Sequence, residues 1–242
     1  MGSNPTLSAM FFFRKKIVGP QNKKIIFLLC GWPGKIWHYL LTAKLLEFHG
    51  YQSIIYEFDN NILSSSITGT VNNTVSVKND IIKEVNRFKH LGYTDFAVFG
   101  TSYGTIIAFM VANNEPNISR LIVNLSGADL AETVWTWNKG KESLVKNGII
   151  HQGISLNKLK EKWSFLSPLN NIKNMRDRKI LFYLSQKDNV IPYKLQIRLL
   201  NGLNKISNNV HVSVNHYSNH LFSALFNLVL FDKYVKFLEK RS

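Results

Sequence analysis

Short apolar runs alternate along this chain with longer stretches of helical period, and that alternation limits the fold more than any other feature. The runs, rich in β-branched and aromatic residues, fall at 11–18, 25–30, 52–56, 96–99, 121–125, 180–184 and 210–214. Strands so continuously apolar are expected to be covered on both faces, as in a parallel sheet. Helical period occupies 36–49, 79–90, 103–112, 193–203 and 221–238. Asp80 and Glu84 near one start, and Lys236 and Lys240 near the last end, follow the charge order that a helix dipole favours. The expected fold is α/β, a mainly parallel central sheet with crossover helices on both faces. No repeat or Pro/Gly-rich linker divides the 242 residues, a length that suits one domain with a core needing no disulfide or metal.

Composition narrows the setting. The single cysteine, Cys30, excludes an internal disulfide and points to a reducing, cytoplasmic interior. No apolar run has the length of a membrane span, and the cluster at 11–13 is followed at once by Arg14, Lys15 and Lys16. Those charges lie on the wrong side for a secretory signal. Residues 1–6 fit a loose N-acylation pattern, but so short a pattern reads as a frayed start. A net charge of +15 raises nucleic acid or an anionic membrane as partners. The basic residues are scattered and no nucleic-acid module accompanies them, so a solvated basic surface is expected. No nucleic acid is predicted, weak association with an anionic surface stays open, and so does the oligomeric state.

One gap breaks the rhythm. Between residues 125 and 180 lies a segment far longer than an ordinary crossover, holding Trp135, Trp137 and Trp163. An insertion at the carboxyl end of a parallel sheet is placed to cover a ligand crevice. Residues 130–178 are therefore read as a cap, with these tryptophans as substrate-binding walls. The alternative is a packing excursion with buried tryptophans.

Gly100-Thr101-Ser102-Tyr103-Gly104 is the strongest chemical signal. An apolar strand candidate runs in and a wholly apolar helix candidate runs out. A serine on such a turn is held strained, with its hydroxyl projecting above the sheet. The helix N-terminus behind it favours negative charge. Ser102 is thus the candidate nucleophile.

Ser185-Gln186-Lys187-Asp188-Asn189-Val190-Ile191-Pro192 follows the strand candidate at 180–184, and His220 lies between the last strand candidate and the last helix. With the serine elbow, these motifs make the chain resemble the α/β-hydrolase superfamily over nearly its whole length. The resemblance implies a Ser102–His220–Asp188 triad, since serine, acid, histidine is the chain order of that fold. An imidazole must activate the serine, and a buried carboxylate must orient the imidazole. His216 competes with His220, which is preferred because it abuts the helix. Asp129 competes with Asp188, which is preferred for its loop motif.

The resemblance also places an oxyanion site in Cys30-Gly31-Trp32-Pro33-Gly34, with the N–H groups of Trp32 and Tyr103 as donors. Relatives often carry His-Gly here; Cys30 stands in place of the histidine, so no loop-bracing imidazole is expected. Pro33 has no N–H to give, and Cys30 reads as a strand-end residue. No metal motif, paired cysteines or dinucleotide fingerprint is present, so neither metal nor organic cofactor is inferred. The expected activity is hydrolysis of a small-molecule carboxylic ester or thioester through an acyl-enzyme. The alternatives are a peptidase or amidase on the same fold, a ligand-binding protein with vestigial turnover, and an anionic-surface binder.

Overall fold

The computed structural model describes residues 12–21 and 23–239, so the residues of the N-acylation pattern lie outside the described part. Among the described residues, β1 (Phe13–Val18), β2 (Lys24–Leu29), β3 (Tyr51–Phe58), β4 (Asp95–Thr101), β5 (Ile118–Asn124), β6 (Lys179–Ser185) and β7 (Val210–Asn215) form one sheet. Its order is β1-β3-β2-β4-β5-β6-β7. β1 pairs antiparallel with β3, and every other pairing is parallel. The helices are α1 (Leu40–Phe48), α2 (Ile67–His90), α3 (Tyr103–Asn114), α4 (Leu130–Trp135), α5 (Gly140–His151), α6 (Leu156–Lys162), α7 (Tyr193–Asn204), α8 (His220–Val229) and α9 (Phe231–Glu239).

Strand periodicity divides the core into two layers. On β2, Ile25, Phe27 and Leu29 pack with Val77 and Ile81 of α2 and Ile107 and Val111 of α3. Ile26 and Leu28 face the other way, toward Ala43 and Leu46 of α1 and Tyr234 and Leu238 of α9. The chain therefore leaves β2 toward one face and β4 toward the other, although the two strands are neighbours. A switch of this kind opens a crevice beyond the carboxyl ends of the two strands, where ligands bind in open α/β sheets. The loop after β2 and Ser102 after β4 stand on either side of it.

Five elements differ from the sequence reading. The helix expected at 79–90 is the second half of α2, which starts twelve residues earlier. Its first half, rich in Thr, Asn and Val, has weak intrinsic propensity. Tertiary context holds it: Ser66 caps Gly69 N–H, and Thr70, Thr74 and Val77 are buried. The helix expected at 36–49 opens with a 3-10 turn, Ile36–Tyr39. The stretch 221–238 is two helices, broken at Leu230 with ψ +62°. Finally, β1 and β7 are the two sheet edges and are largely exposed rather than covered on both faces, β1 carrying Arg14, Lys15 and Lys16.

The 130–178 insertion folds as α4, α5, α6 and two 3-10 turns, Ser164–Leu166 and Pro168–Asn171. Two indoles tie it down. Trp163 is fully buried and donates its N–H to Ile67 O at 3.3 Å, at the start of α2. Trp137 donates to Val190 O at 3.0 Å, in the loop after β6.

Candidate active site

β4 ends at Thr101 and α3 begins at Tyr103, leaving Ser102 alone to turn the chain. It does so at φ +51° and ψ −119°. A side-chain-bearing residue holds such a conformation at a cost of about 1–3 kcal/mol, so its surroundings must over-determine it. Ser102 N–H donates to Asn124 O at 2.8 Å, and Ser102 O accepts from Thr105 N–H at 2.9 Å and from its hydroxyl at 2.6 Å. The flanking glycines are obligatory. A Cβ on Gly100 would lie 2.6 Å from Gly104 O, and one on Gly104 would lie 2.6 Å from Cys30 O. Behind the turn, α3 is buried all round from Tyr103 to Ala112.

His220 comes to Ser102 from the far edge of the sheet. Its Nε2 lies 2.9 Å from Ser102 Oγ, and its Nδ1 lies 2.8 Å from Asp188 Oδ2. A carboxylate only accepts, so Nδ1 carries the hydrogen and Nε2 is left to accept the serine proton. His220 is the first residue of α8; Asn219 caps that helix by accepting Phe222 N–H at 3.1 Å. The backbone N–H of His220 donates to Asn189 Oδ1 at 3.2 Å, pinning the ring's base.

Asp188 has a fully buried side chain. Its Oδ1 accepts from the N–H groups of Val190 and Ile191 at 2.9 and 2.7 Å, and Gln196 Nε2 reaches Oδ2 at 3.3 Å. The two rivals are employed elsewhere. Asp129 caps α4 through Glu132 N–H at 2.9 Å and accepts from Ser167 Oγ at 3.2 Å. His216 is exposed and lies edge-on to Tyr217. Neither joins the Ser102–His220–Asp188 line.

Across the crevice, the backbone N–H groups of Trp32 and Tyr103 donate to no described group of the chain. Both residues line the same pocket as Ser102. The loop that carries Trp32 needs no histidine to stiffen it. Gly31 N–H donates to Tyr39 Oη at 3.3 Å, Gly34 N–H to Gly31 O at 2.7 Å, and the Trp32 indole to Asn60 O at 2.8 Å. Burial pushes the Cys30 thiol up, well away from thiolate formation.

Two clefts meet at Ser102 and His220. One is a narrow pocket of about 70 Å³, walled by Ile106, Leu130, Thr133, Trp137 and Ile191. The other is an open groove of about 550 Å³ that runs between the Trp32 loop and α8. Of the three tryptophans expected at the substrate, Trp137 is in the pocket wall, stacked on Trp32 with ring centres 6.5 Å apart. Trp135 and Trp163 line neither cleft: Trp135 packs against the core and Trp163 sits within it. Reading by residue type could not separate them, because the turn after α4 decides which indole faces the crevice.

Sequence reasoning passed over Asn189 and Gln196. Gln196 left a signal: it shares the buried stripe of α7 with Leu199 and Leu203, where an unpaired amide would be costly. Its Oε1 accepts Ser185 N–H at 3.0 Å and its Nε2 donates to Ile191 O at 2.8 Å, so it staples the acid loop shut. Among the described residues, no group of three or more His, Cys, Asp or Glu is placed to hold a metal ion.

A mainly parallel seven-stranded sheet with a serine elbow at its switch point defines an α/β-hydrolase. Within that superfamily, the model of the prolyl oligopeptidase family matches residues 69–241, and the chain belongs to this family. Among solved structures it is similar to a cold-adapted esterase from an Arctic intertidal metagenomic library, at TM-score 0.66 and 14% identity, covering 93% of this chain and 87% of that one. An esterase of Pyrococcus furiosus follows at TM-score 0.62 and 14% identity, covering 95% and 92%. A carboxylesterase structure of the thaumarchaeon Nitrososphaera gargenis has TM-score 0.60 and 16% identity, covering 98% and 96%. No curated protein matches the chain in sequence. Family and fold make the chain a serine hydrolase in the broad sense.

Proposed function

We propose that the chain cleaves carboxylic esters or thioesters through an acyl-enzyme on Ser102. The observation that carries this reading is the hydrogen-bonded line Ser102–His220–Asp188 standing at the neck between a narrow pocket and an open groove. His220 Nε2 takes the hydroxyl proton as Ser102 Oγ attacks the carbonyl carbon. Asp188 keeps the imidazole in the required tautomer and stabilises its charged form. The Trp32 and Tyr103 N–H groups receive the tetrahedral oxyanion, which needs donors not already spent within the protein. Collapse expels an alkoxide or thiolate that takes the proton from His220, and a water molecule repeats the sequence on the acyl-serine.

The narrow pocket suits a short apolar acyl group and the groove suits the leaving group. The 130–178 insertion then acts as the cap expected from sequence, with Trp137 as the wall that limits acyl length. Membership of the prolyl oligopeptidase family favours a second reading, cleavage of a peptide or amide bond by the same residues. A fluorophosphonate probe tests the shared mechanism. Turnover of p-nitrophenyl esters of graded acyl length, set against aminoacyl-p-nitroanilides, then separates the readings. Labelling of Ser102 with ester turnover supports the first; faster anilide turnover supports the second; no labelling overturns both.

A further inference from the structure

We propose that the outward face of α8 docks on an anionic lipid surface. The helix buries Ser223, Ala224, Asn227 and Leu228 and turns its larger apolar residues outward. Its inward residues include Ser223, whose hydroxyl bonds Ser185 Oγ at 3.0 Å, and Asn227, whose amide donates to Asn124 Oδ1 at 2.8 Å. Its outward residues are Leu221, Phe222, Leu225, Phe226 and Val229, on one stripe of the helix. Phe222 is 65% exposed and Phe226 53%, and Tyr217 adds an aromatic ring, 86% exposed, from the preceding loop. Isolated exposed apolar side chains are ordinary, but a contiguous face of this kind marks an interaction surface.

Charge selects the partner. Residues 206–231 contain no Asp, Glu, Lys or Arg, the longest uncharged stretch of a chain whose net charge is +15. Two copies so charged repel each other, whereas an anionic bilayer attracts the whole molecule. β7 and α8 carry no carboxylate; on α9 the exposed Asp232 and Glu239 accompany the lysines, and Glu239 is paired with His49 at 2.7 Å. Lys233 stands beside the face, its Nζ 2.9 Å from Ser213 Oγ of β7, and Lys236 is exposed on α9. Aromatic and leucine side chains that enter the headgroup layer, backed by lysines, are the arrangement by which interfacial helices hold anionic lipid. No described helix is long and apolar enough to cross a membrane, so contact is with the surface.

Docking has a consequence for the groove. Leu221 and Leu225 also line its wall, so its mouth faces the bilayer and an amphiphilic ester reaches Ser102 without crossing water. That consequence rests on the proposed role of Ser102; the docking does not.

Sedimentation with sucrose-loaded vesicles tests it, using the Ser102→Ala protein so that binding is read apart from turnover. The protein is expected to sediment with vesicles of mixed phosphatidylglycerol and phosphatidylcholine and much less with phosphatidylcholine alone. A Phe222→Ser, Phe226→Ser double variant should bind the mixed vesicles about tenfold more weakly. Made in the Ser102 background, the same double variant should keep wild-type turnover of a short soluble ester, and its thermal unfolding should be unchanged. Absence of binding to the mixed vesicles overturns the proposal. So does equal binding by the double variant, which would leave charge alone as the cause. A dimer seen by analytical ultracentrifugation and lost in the double variant would assign the face to a second copy and also overturn it.

Discussion

Two apolar helices start at the two ends of one hydrogen bond, and their surroundings are opposite. α3 begins directly after Ser102 and is buried on every side; α8 begins with His220 and keeps one face open. The first is clamped between the sheet, α2 and the insertion, which suits a turn that must hold a strained serine. The second is fixed at its first residue and along one side, through buried Ser223, Ala224, Asn227 and Leu228. Similar hydrophobicity thus does different work, because burial and not composition sets what a helix contributes.

The largest effect expected is at the clamped end. Ser102→Ala should abolish fluorophosphonate labelling and lower turnover by roughly four to six orders of magnitude. Retained labelling would remove the reason for the strain at this turn.

On the α8 side, Asp188→Asn should lower kcat by about ten-thousand-fold, since an amide no longer enforces the imidazole tautomer. Asp129→Asn should leave kcat nearly unchanged, because asparagine caps α4 as well as aspartate does. Steady-state kinetics on one ester decide between them. A large loss at Asp129 alone would reassign the acid.

The contrast in packing is measured directly by urea denaturation. Phe109→Ala, fully buried in α3, should cost about 3–5 kcal/mol. Phe226→Ala in α8 should change stability by less than about 0.5 kcal/mol, as for other exposed positions. Equal losses would mean that α8 is packed as firmly as α3, and the comparison would fail.

The smallest expected effect concerns specificity. Trp137→Ala should alter the acyl-length profile by about fourfold per methylene, the factor that matches about 0.8 kcal/mol of burial. Trp135→Ala should leave the profile as it is, because its indole lines neither cleft. Matching profiles for all variants would move acyl selection to the Trp32 loop.

Local pattern made much of this molecule legible. The five inner strands and the serine elbow are written in short runs, because a strand buried on both faces needs apolar residues in sequence and a tight turn needs glycine at Gly100 and Gly104. Asp188, Asn189 and Pro192 mark a loop whose backbone folds onto its own carboxylate within three residues. The first half of α2 was not legible, since its Thr, Asn and Val residues are helical only against α3 and the 3-10 turn at Asn60–Ile62.

The sequence by itself therefore determined the class of fold, the elbow and the candidates for nucleophile, acid and base. The strands and the elbow depend on residues a few positions apart, where sterics and hydrogen bonding act along the chain, and the acid and base follow from the resemblance in the order of the motifs. Tertiary structure alone decided that His220 and not His216 meets Ser102, 118 positions away in the chain. It alone placed Trp137 in the pocket and Trp163 in the core, and left Leu221, Phe222, Leu225, Phe226 and Val229 of α8 exposed. Those outcomes depend on which surfaces meet once the sheet has formed, and no local pattern encodes a contact between segments so far apart.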